Sequence, residues 1–146
     1  MMLKLLVLLT FTLLNAKEVR TLNYGVVSMD TVWGKRPVYI SFWAIWCTNC
    51  IKELDEINRI KDSLGIFVIA VNEDGLRKES RVASFVKAKK WDFPIVMDAD
   101  QSLMKSYGVS ALPTSFLYSP KRELLKRFTG FAPKDKELLK SMVKGE

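Results

Sequence analysis

At 146 residues, with 49% apolar and 27% charged side chains, the chain has the make-up of one soluble globular domain able to bury a substantial core. Its two cysteines close one disulfide at most, which excludes a disulfide-stapled scaffold, and the absence of histidine leaves few metal ligands. The net charge of +7 is spread along the sequence, and its densest run, KAKK at Lys87 to Lys90, reads as a solvated helix end rather than a nucleic-acid patch, since no aromatic residues interleave it.

In chain order, MMLKLLVLLTFTLLNAKE comes first: Lys4, then the apolar run from Leu5 to Leu14. Ten residues suit the core of a signal peptide and fall short of the roughly 20 that a membrane span needs. Ala16 gives a small residue at −1 of a cleavage site, although Leu14 at −3 is bulky. Residues 1–16 are therefore expected to be an export signal or an uncleaved anchor, and 17–146 the folded domain. No cysteine lies near this segment to carry a lipid.

Val38 to Trp43 (VYISFW) is apolar on both faces and rich in β-formers, which predicts a buried central strand. From Cys50 to Leu64 the residues Ile51, Leu54, Ile57, Ile60 and Leu64 recur at helical steps, and Gly65 supplies the stop. Ile66 to Val71 predicts a second buried strand, Asn72 to Gly75 a turn, Arg77 to about Lys90 a helix, and Phe93 to Met97 a shorter strand. Gln101 to Tyr107 reads as a short helix closed by Gly108. Thr114 to Tyr118 and Glu123 to Phe128 alternate about the turn Ser119 to Arg122, as in a β-hairpin. Pro133 then opens a last helix, with Leu138, Leu139, Met142 and Val143 expected on its inner side. The pattern is that of an α/β sandwich around a mixed sheet.

Both cysteines fall in one stretch, W46-C-T-N-C50. A loop this short stabilises little by closing, because the unfolded chain already holds its ends together. Two thiolates are too few for a closed tetrahedral metal site. Reversible thiol chemistry is what this spacing supports. Where a strand gives way to a helix, the sulfur of Cys47 meets unpaired N–H groups and the positive end of the helix dipole, which favour the thiolate. That makes Cys47 the nucleophile, with a pKa below that of an ordinary thiol. Cys50, one turn further in, is the resolving thiol. Trp46 would shield the pair and offer an apolar rim, whereas Trp43, Trp33 and Trp91 read as packing residues.

FWAIWCTNC at a strand end, a helix starting within the motif, and ALPTSF further on together resemble the thioredoxin fold, and within it the exported TlpA/ResA-like thiol–disulfide oxidoreductases. The similarity includes LNYGVVSMDTVWGK, like that family's N-terminal hairpin, and the inserted stretch leading to FPIVMDAD. It implies a three-layer sandwich with helices on both faces of the sheet and an N-terminal β-hairpin extension. It also implies a cis peptide bond before Pro113, with the Leu112 backbone available to an extended substrate. Thioredoxins usually carry an aspartate six residues before the first cysteine, and Ser41 stands there instead. TlpA/ResA-like members carry a glutamate three residues after the second cysteine, which Glu53 matches as a proton acceptor for Cys50. The alternative for Glu53 is a solvated carboxylate early in a helix.

Thr48 and Asn49 would set the redox poise. Without the histidine that strong oxidants of this fold place there, a reducing to intermediate potential is expected. The resemblance implies an exported reductase of protein disulfides, with apocytochrome c cysteines among the candidate substrates. Its place would be the periplasm or the outer face of a bacterial cytoplasmic membrane. It would need a membrane reductant to recharge its dithiol, no cofactor or metal, and no nucleic acid, and it would act as a monomer. An oxidase or isomerase of the same fold is the alternative, and a metal carrier or binding module the more distant one. A peroxidase would need P-x-x-x-T-x-x-C around a cysteine, which neither has. The basic surface suits acidic protein partners or anionic lipid headgroups.

Overall fold

A computed structural model describes residues 17–145; the expected export signal over residues 1–16 lies outside them. A five-stranded sheet runs in the order β5-β4-β3-β6-β7. Strand β3 (Val38–Trp43) pairs parallel with β4 (Phe67–Asn72) and antiparallel with β6 (Thr114–Tyr118). The edges are β5 (Ile95–Met97), parallel to β4, and β7 (Leu124–Thr129), antiparallel to β6. A separate hairpin of β1 (Glu18–Arg20) and β2 (Val26–Ser28) precedes the sheet and starts earlier than LNYG.

Helices α1 (Thr48–Leu64), α2 (Glu79–Lys89) and α4 (Pro133–Lys144) cover one face. There Tyr39, Trp43, Ala70 and Leu117 of the sheet meet Leu54, Ile57, Val82, Val86 and Leu139. On the other face Ile40, Phe42, Ile69, Val71 and Phe116 lie beneath Val19 and Trp33 and the short helix α3 (Ser102–Ser106). The core thus has two halves, one on each side of β3 and its neighbours, and all six residues of β3 are buried.

Local chemistry explains the boundaries. Helix α1 ends because Gly65 takes φ 67°, a left-handed conformation that lets the N–H groups of Gly65 and Ile66 reach the Asp62 and Lys61 carbonyls. Helix α4 starts at Pro133, with the Asp135 carboxylate accepting the Ala132 N–H at 2.7 Å. Helix α2 ends within KAKK at the left-handed Lys90, and Lys89 pairs with Asp55 of α1 at 2.8 Å. Asp55 also accepts the Trp91 indole N–H, which seats that ring against Trp43 at 5.1 Å between centroids.

Several expectations need correction. Asn72 belongs to β4, not to the turn, because its backbone continues the ladders to Trp43 and Met97. The segment before α2 opens with a 3-10 turn, Leu76–Lys78. Strand β5 begins only at Ile95, since the Asn23 side chain takes the backbone groups of Phe93 and Ile95, and Pro94 has no N–H to give. The second hairpin does not alternate. Strand β6 is buried throughout because it lies inside the sheet with both faces covered, whereas β7 is an exposed edge with only Phe128 buried. Leu138 is 41% exposed; Leu139 alone of the four inner-side residues is fully buried, and Met142 and Val143 pack at the margin.

Candidate active site

The dithiol stands just past the carboxyl end of β3, where α/β sheets commonly place their sites. After Trp43 the chain makes one turn, in which the Cys47 N–H bonds the Ala44 carbonyl, and Cys47 becomes the N-cap of α1. An N-cap is usually Ser, Thr, Asp or Asn. Here a sulfur does that work: Cys47 Sγ accepts the Cys50 N–H at 3.2 Å. Charge on this sulfur is stabilised by that N–H and by the helix dipole. Cys47 and Cys50 are joined as a disulfide, with Cα atoms 5.2 Å apart. Cys50 is wholly buried and Cys47 keeps 7% exposure, so an incoming sulfur reaches Cys47 first. Trp46 projects beside them, 69% exposed, and Thr48 and Asn49 are exposed on the first turn of α1.

The turn is braced from β4. Asp74 accepts the Ile45 N–H at 2.8 Å and the Asn72 side-chain N–H at 2.8 Å, while Asn72 Oδ1 accepts the Asp74 N–H at 2.9 Å. The Glu73 N–H bonds the Trp43 carbonyl at 2.9 Å. This clamp fixes the backbone that delivers Trp46 and Cys47.

Glu53, one turn beyond Cys50 on α1, is buried rather than solvated. Its Oε1 accepts hydroxyls from Ser41 at 2.5 Å, Ser115 at 2.7 Å and Tyr39 at 3.2 Å. Burial raises its pKa to about 7; the three hydroxyls hold it down from a higher value, and Asp135 adds a small upward push. Its Oε2 is buried without a hydrogen-bond partner. Burial and the Glu53 charge together push the Tyr39 phenol well above its usual range. Glu53 also lines an open hollow of about 660 Å³ between α1 and α4, with Asn49 and Phe131 on the same wall.

The Leu112–Pro113 bond is cis. Continuing the β3–β6 register by one step sets Pro113 beside Trp43, at the same sheet end as the dithiol. Leu112 packs against the core cluster that contains both cysteines. The Pro113 carbonyl accepts the Gly130 N–H at 2.8 Å, which ties the start of the β7–α4 loop to this segment.

Sequence reasoning missed the hydroxyl cage and a second carboxyl. Ser41 and Ser115 face each other in the β3–β6 ladder, and a serine within each of two otherwise apolar strands was the available signal. Glu73 is 9% exposed, and burial, then the Asp98 carboxyl beside it, push its pKa up to about 9. Asp98 itself caps α3 by accepting the Leu103 and Met104 N–H groups. Inside NEDG, Glu73 reads as an ordinary turn acid. Among the described residues no cluster of three or more Cys, Asp or Glu could hold a metal ion, and no helix is long and apolar enough to cross a membrane.

Comparison with known proteins agrees with this geometry. The model of the AhpC/TSA family matches residues 9–127. Thiol-disulfide oxidoreductase ResA of Bacillus subtilis is 38% identical over 98 residues, 64% of this chain and 52% of its own length, so the match spans about half of that relative. Among solved structures, a Chlorobium tepidum chain described as a DsbE thiol:disulfide interchange protein superposes with a TM-score of 0.75 at 29% identity, covering 88% of this chain and 90% of its own. StoA from Bacillus subtilis gives 0.67 at 30% identity, covering 85% and 92%. The chain belongs to the AhpC/TSA family and has the thioredoxin-like fold of the ResA-like thiol–disulfide oxidoreductases.

Proposed function

We propose that the chain is an exported thiol–disulfide oxidoreductase that reduces disulfides in protein substrates through Cys47 and Cys50. The observation that carries this is the sulfur cap: Cys47 Sγ receives a backbone N–H at the start of α1, with Cys50 buried directly behind it. In the reduced protein the Cys47 thiolate attacks one sulfur of a substrate disulfide. A mixed disulfide forms, and the other substrate sulfur leaves as a thiolate. Cys50 then gives its proton to Glu53 and attacks Cys47 Sγ. The second substrate sulfur departs, and the Cys47–Cys50 disulfide holds the oxidised state. A membrane reductant then returns two electrons, and the proton held by Glu53 goes back to Cys50, which leaves Cys47 as the thiolate again. Glu53 suits its part because a carboxyl with a pKa of about 7 can accept and release a proton near neutrality.

Trp46 forms the apolar rim, and Leu112 and Pro113 supply the segment along which a substrate strand lies. Thr48 and Asn49 set the potential, and the lack of histidine there favours reduction. The apolar run Leu5 to Leu14 supports export through a signal in residues 1–16, to the periplasm or the outer face of the membrane. Apocytochrome c cysteines are the substrate class that the family resemblance suggests, and the protein acts as a monomer.

The test is Cys50→Ser. Removing the resolving thiol should leave substrates joined to Cys47, visible as adducts on non-reducing gels and identifiable by mass spectrometry. A cell extract from the exporting compartment that yields no adduct sinks the exchange reading. The reduction potential of the couple separates reductase from oxidase: a value well above that of the compartment's thiols would assign oxidation.

A further inference from the structure

Two adjoining hollows share Asn49, Phe131 and Ala132, so both open beside one of the two residues that separate the cysteines. The second, of about 580 Å³, follows the end of edge strand β7 through residues 126–130 and continues to Lys134 and Asp135. Its near wall is Gly130, the residue bonded to the Pro113 carbonyl. The hollow therefore adjoins both the first turn of α1 and the Pro113 segment.

Its lining carries three cations, Lys126, Arg127 and Lys134, against one carboxylate, Asp135. Asp135 keeps its charge while accepting the Ala132 N–H; in the adjoining hollow Glu56 is paired with Lys136 and Arg59, and Glu137 lies 3.7 Å from Lys140. Arg127 is planted over the Phe116 ring and donates to the Gly108 carbonyl. Lys126 and Lys134 of this hollow, and Lys52 of the adjoining one, are exposed and have no carboxylate within ion-pair distance among the described residues. Cations left unpaired along a concave path focus a positive potential into it. The outer side of β7 also presents unpaired backbone groups to an extended chain.

We infer that this hollow is a subsite for the segment of the protein substrate flanking its reactive cysteine, and that it selects acidic side chains there. The inference rests on the exchange reading above and names the substrate class for it. A lipid surface fits less well: the hollow is concave, opens at Asn49 and is tied to Pro113, whereas a planar headgroup layer meets protruding cations.

The experiment compares two disulfide-bridged peptides that differ only in having Asp-Asp or Lys-Lys beside the attacked cysteine. Each rate is divided by the rate of the same protein on hydroxyethyl disulfide, an uncharged small substrate. The wild type should prefer the acidic peptide by about tenfold in kcat/KM at low ionic strength, and the preference should shrink in 0.5 M salt as charges are screened. Lys126→Glu/Lys134→Glu should abolish or invert it. Lys78→Glu/Lys87→Glu, with the same change in net charge away from the hollow, should keep it. Equal rates for the two peptides in the wild type, or a preference that survives Lys126→Glu/Lys134→Glu, overturn the inference. So does loss of binding to phosphatidylglycerol vesicles in that variant with no change in peptide preference, which assigns the lysines to a lipid surface. If the wild type leaves hydroxyethyl disulfide untouched, the exchange reading falls on its own; affinities for cysteine-free versions of the two peptides, by fluorescence titration, still decide the subsite.

Discussion

Replacing Glu53 by Gln tests both the energetics and the chemistry of the site. Burial lifts the Glu53 carboxyl from an ordinary 4.5 to about 7 in the folded chain. A tenfold change in proton affinity corresponds to about 1.4 kcal/mol, so ionising Glu53 in place costs about 3 kcal/mol more than ionising it in the unfolded chain. The sign follows from proton counting. Between pH 4.5 and 7 the folded state holds a proton that the unfolded state has lost, so stability falls as pH rises through this window and levels off above it. Gln cannot ionise, and its carbonyl can still accept from Tyr39, Ser41 and Ser115. Its amide does add donors where Oε2 has no partner, which shifts the absolute stability by about 1–3 kcal/mol at every pH. The informative quantity is therefore the pH-dependent difference. Urea unfolding of the oxidised proteins from pH 5 to 8 should show the wild type losing about 2.5 kcal/mol relative to Glu53→Gln, with Glu73 cancelling because both proteins carry it. In stopped-flow resolution of a mixed disulfide on Cys47, the variant should be slower by about a hundredfold and lose the inflection near pH 7, while alkylation of Cys47 stays close to wild type. Superimposable stability profiles would refute the burial argument, and an unchanged resolution rate would leave Glu53 a packing residue.

Asp74→Ala removes the acceptor for the Ile45 N–H and should cost about 1–3 kcal/mol in urea unfolding, with faster amide exchange at Ile45. Glu73→Gln should be increasingly stable relative to the wild type as pH rises from about 5 towards 9, since the folded chain there keeps a Glu73 proton that the unfolded chain loses; parallel urea curves across that range would refute this. Leu139→Ala empties the buried contact of α4 and should cost about 2–5 kcal/mol, whereas Leu138→Ala, on the exposed side, should fall within about 0.5 kcal/mol of wild type by the same measurement.

How far the sequence led depended on the range of the interactions involved. The stripe from Ile51 to Leu64, the stop at Gly65 and the cap at Cys47 are local, and each stands where periodicity and capping chemistry placed it. The apolar run VYISFW named the central strand for the same reason. Strand order is a long-range property, so reading both segments as one alternating hairpin missed that β6 lies inside the sheet and β7, with Lys126 and Arg127, on its edge. Glu53 falls between these cases. Its helical spacing from Cys50 was legible, but its partners Tyr39, Ser41 and Ser115 come from two strands whose register only the folded sheet defines. Glu73 was hidden because strand β4 runs one residue further than its apolar run, carrying the acid into cover.

The same cage holds a carboxyl against position 41 although no aspartate stands there. The strand contributes a hydroxyl at Ser41, and the carboxylate arrives from the opposite side, from α1. This arrangement puts Cys47, Cys50 and Glu53 at three-residue steps along the start of α1. Their relative placement is then set by helical geometry, which is stiff, and not by how the helix happens to seat on the sheet. What the sheet controls is how readily the carboxyl ionises, since each hydroxyl bond to Oε1 favours the charged form against burial. Positions 39, 41 and 115 are consequently where the proton affinity of Glu53 can be tuned without moving a sulfur.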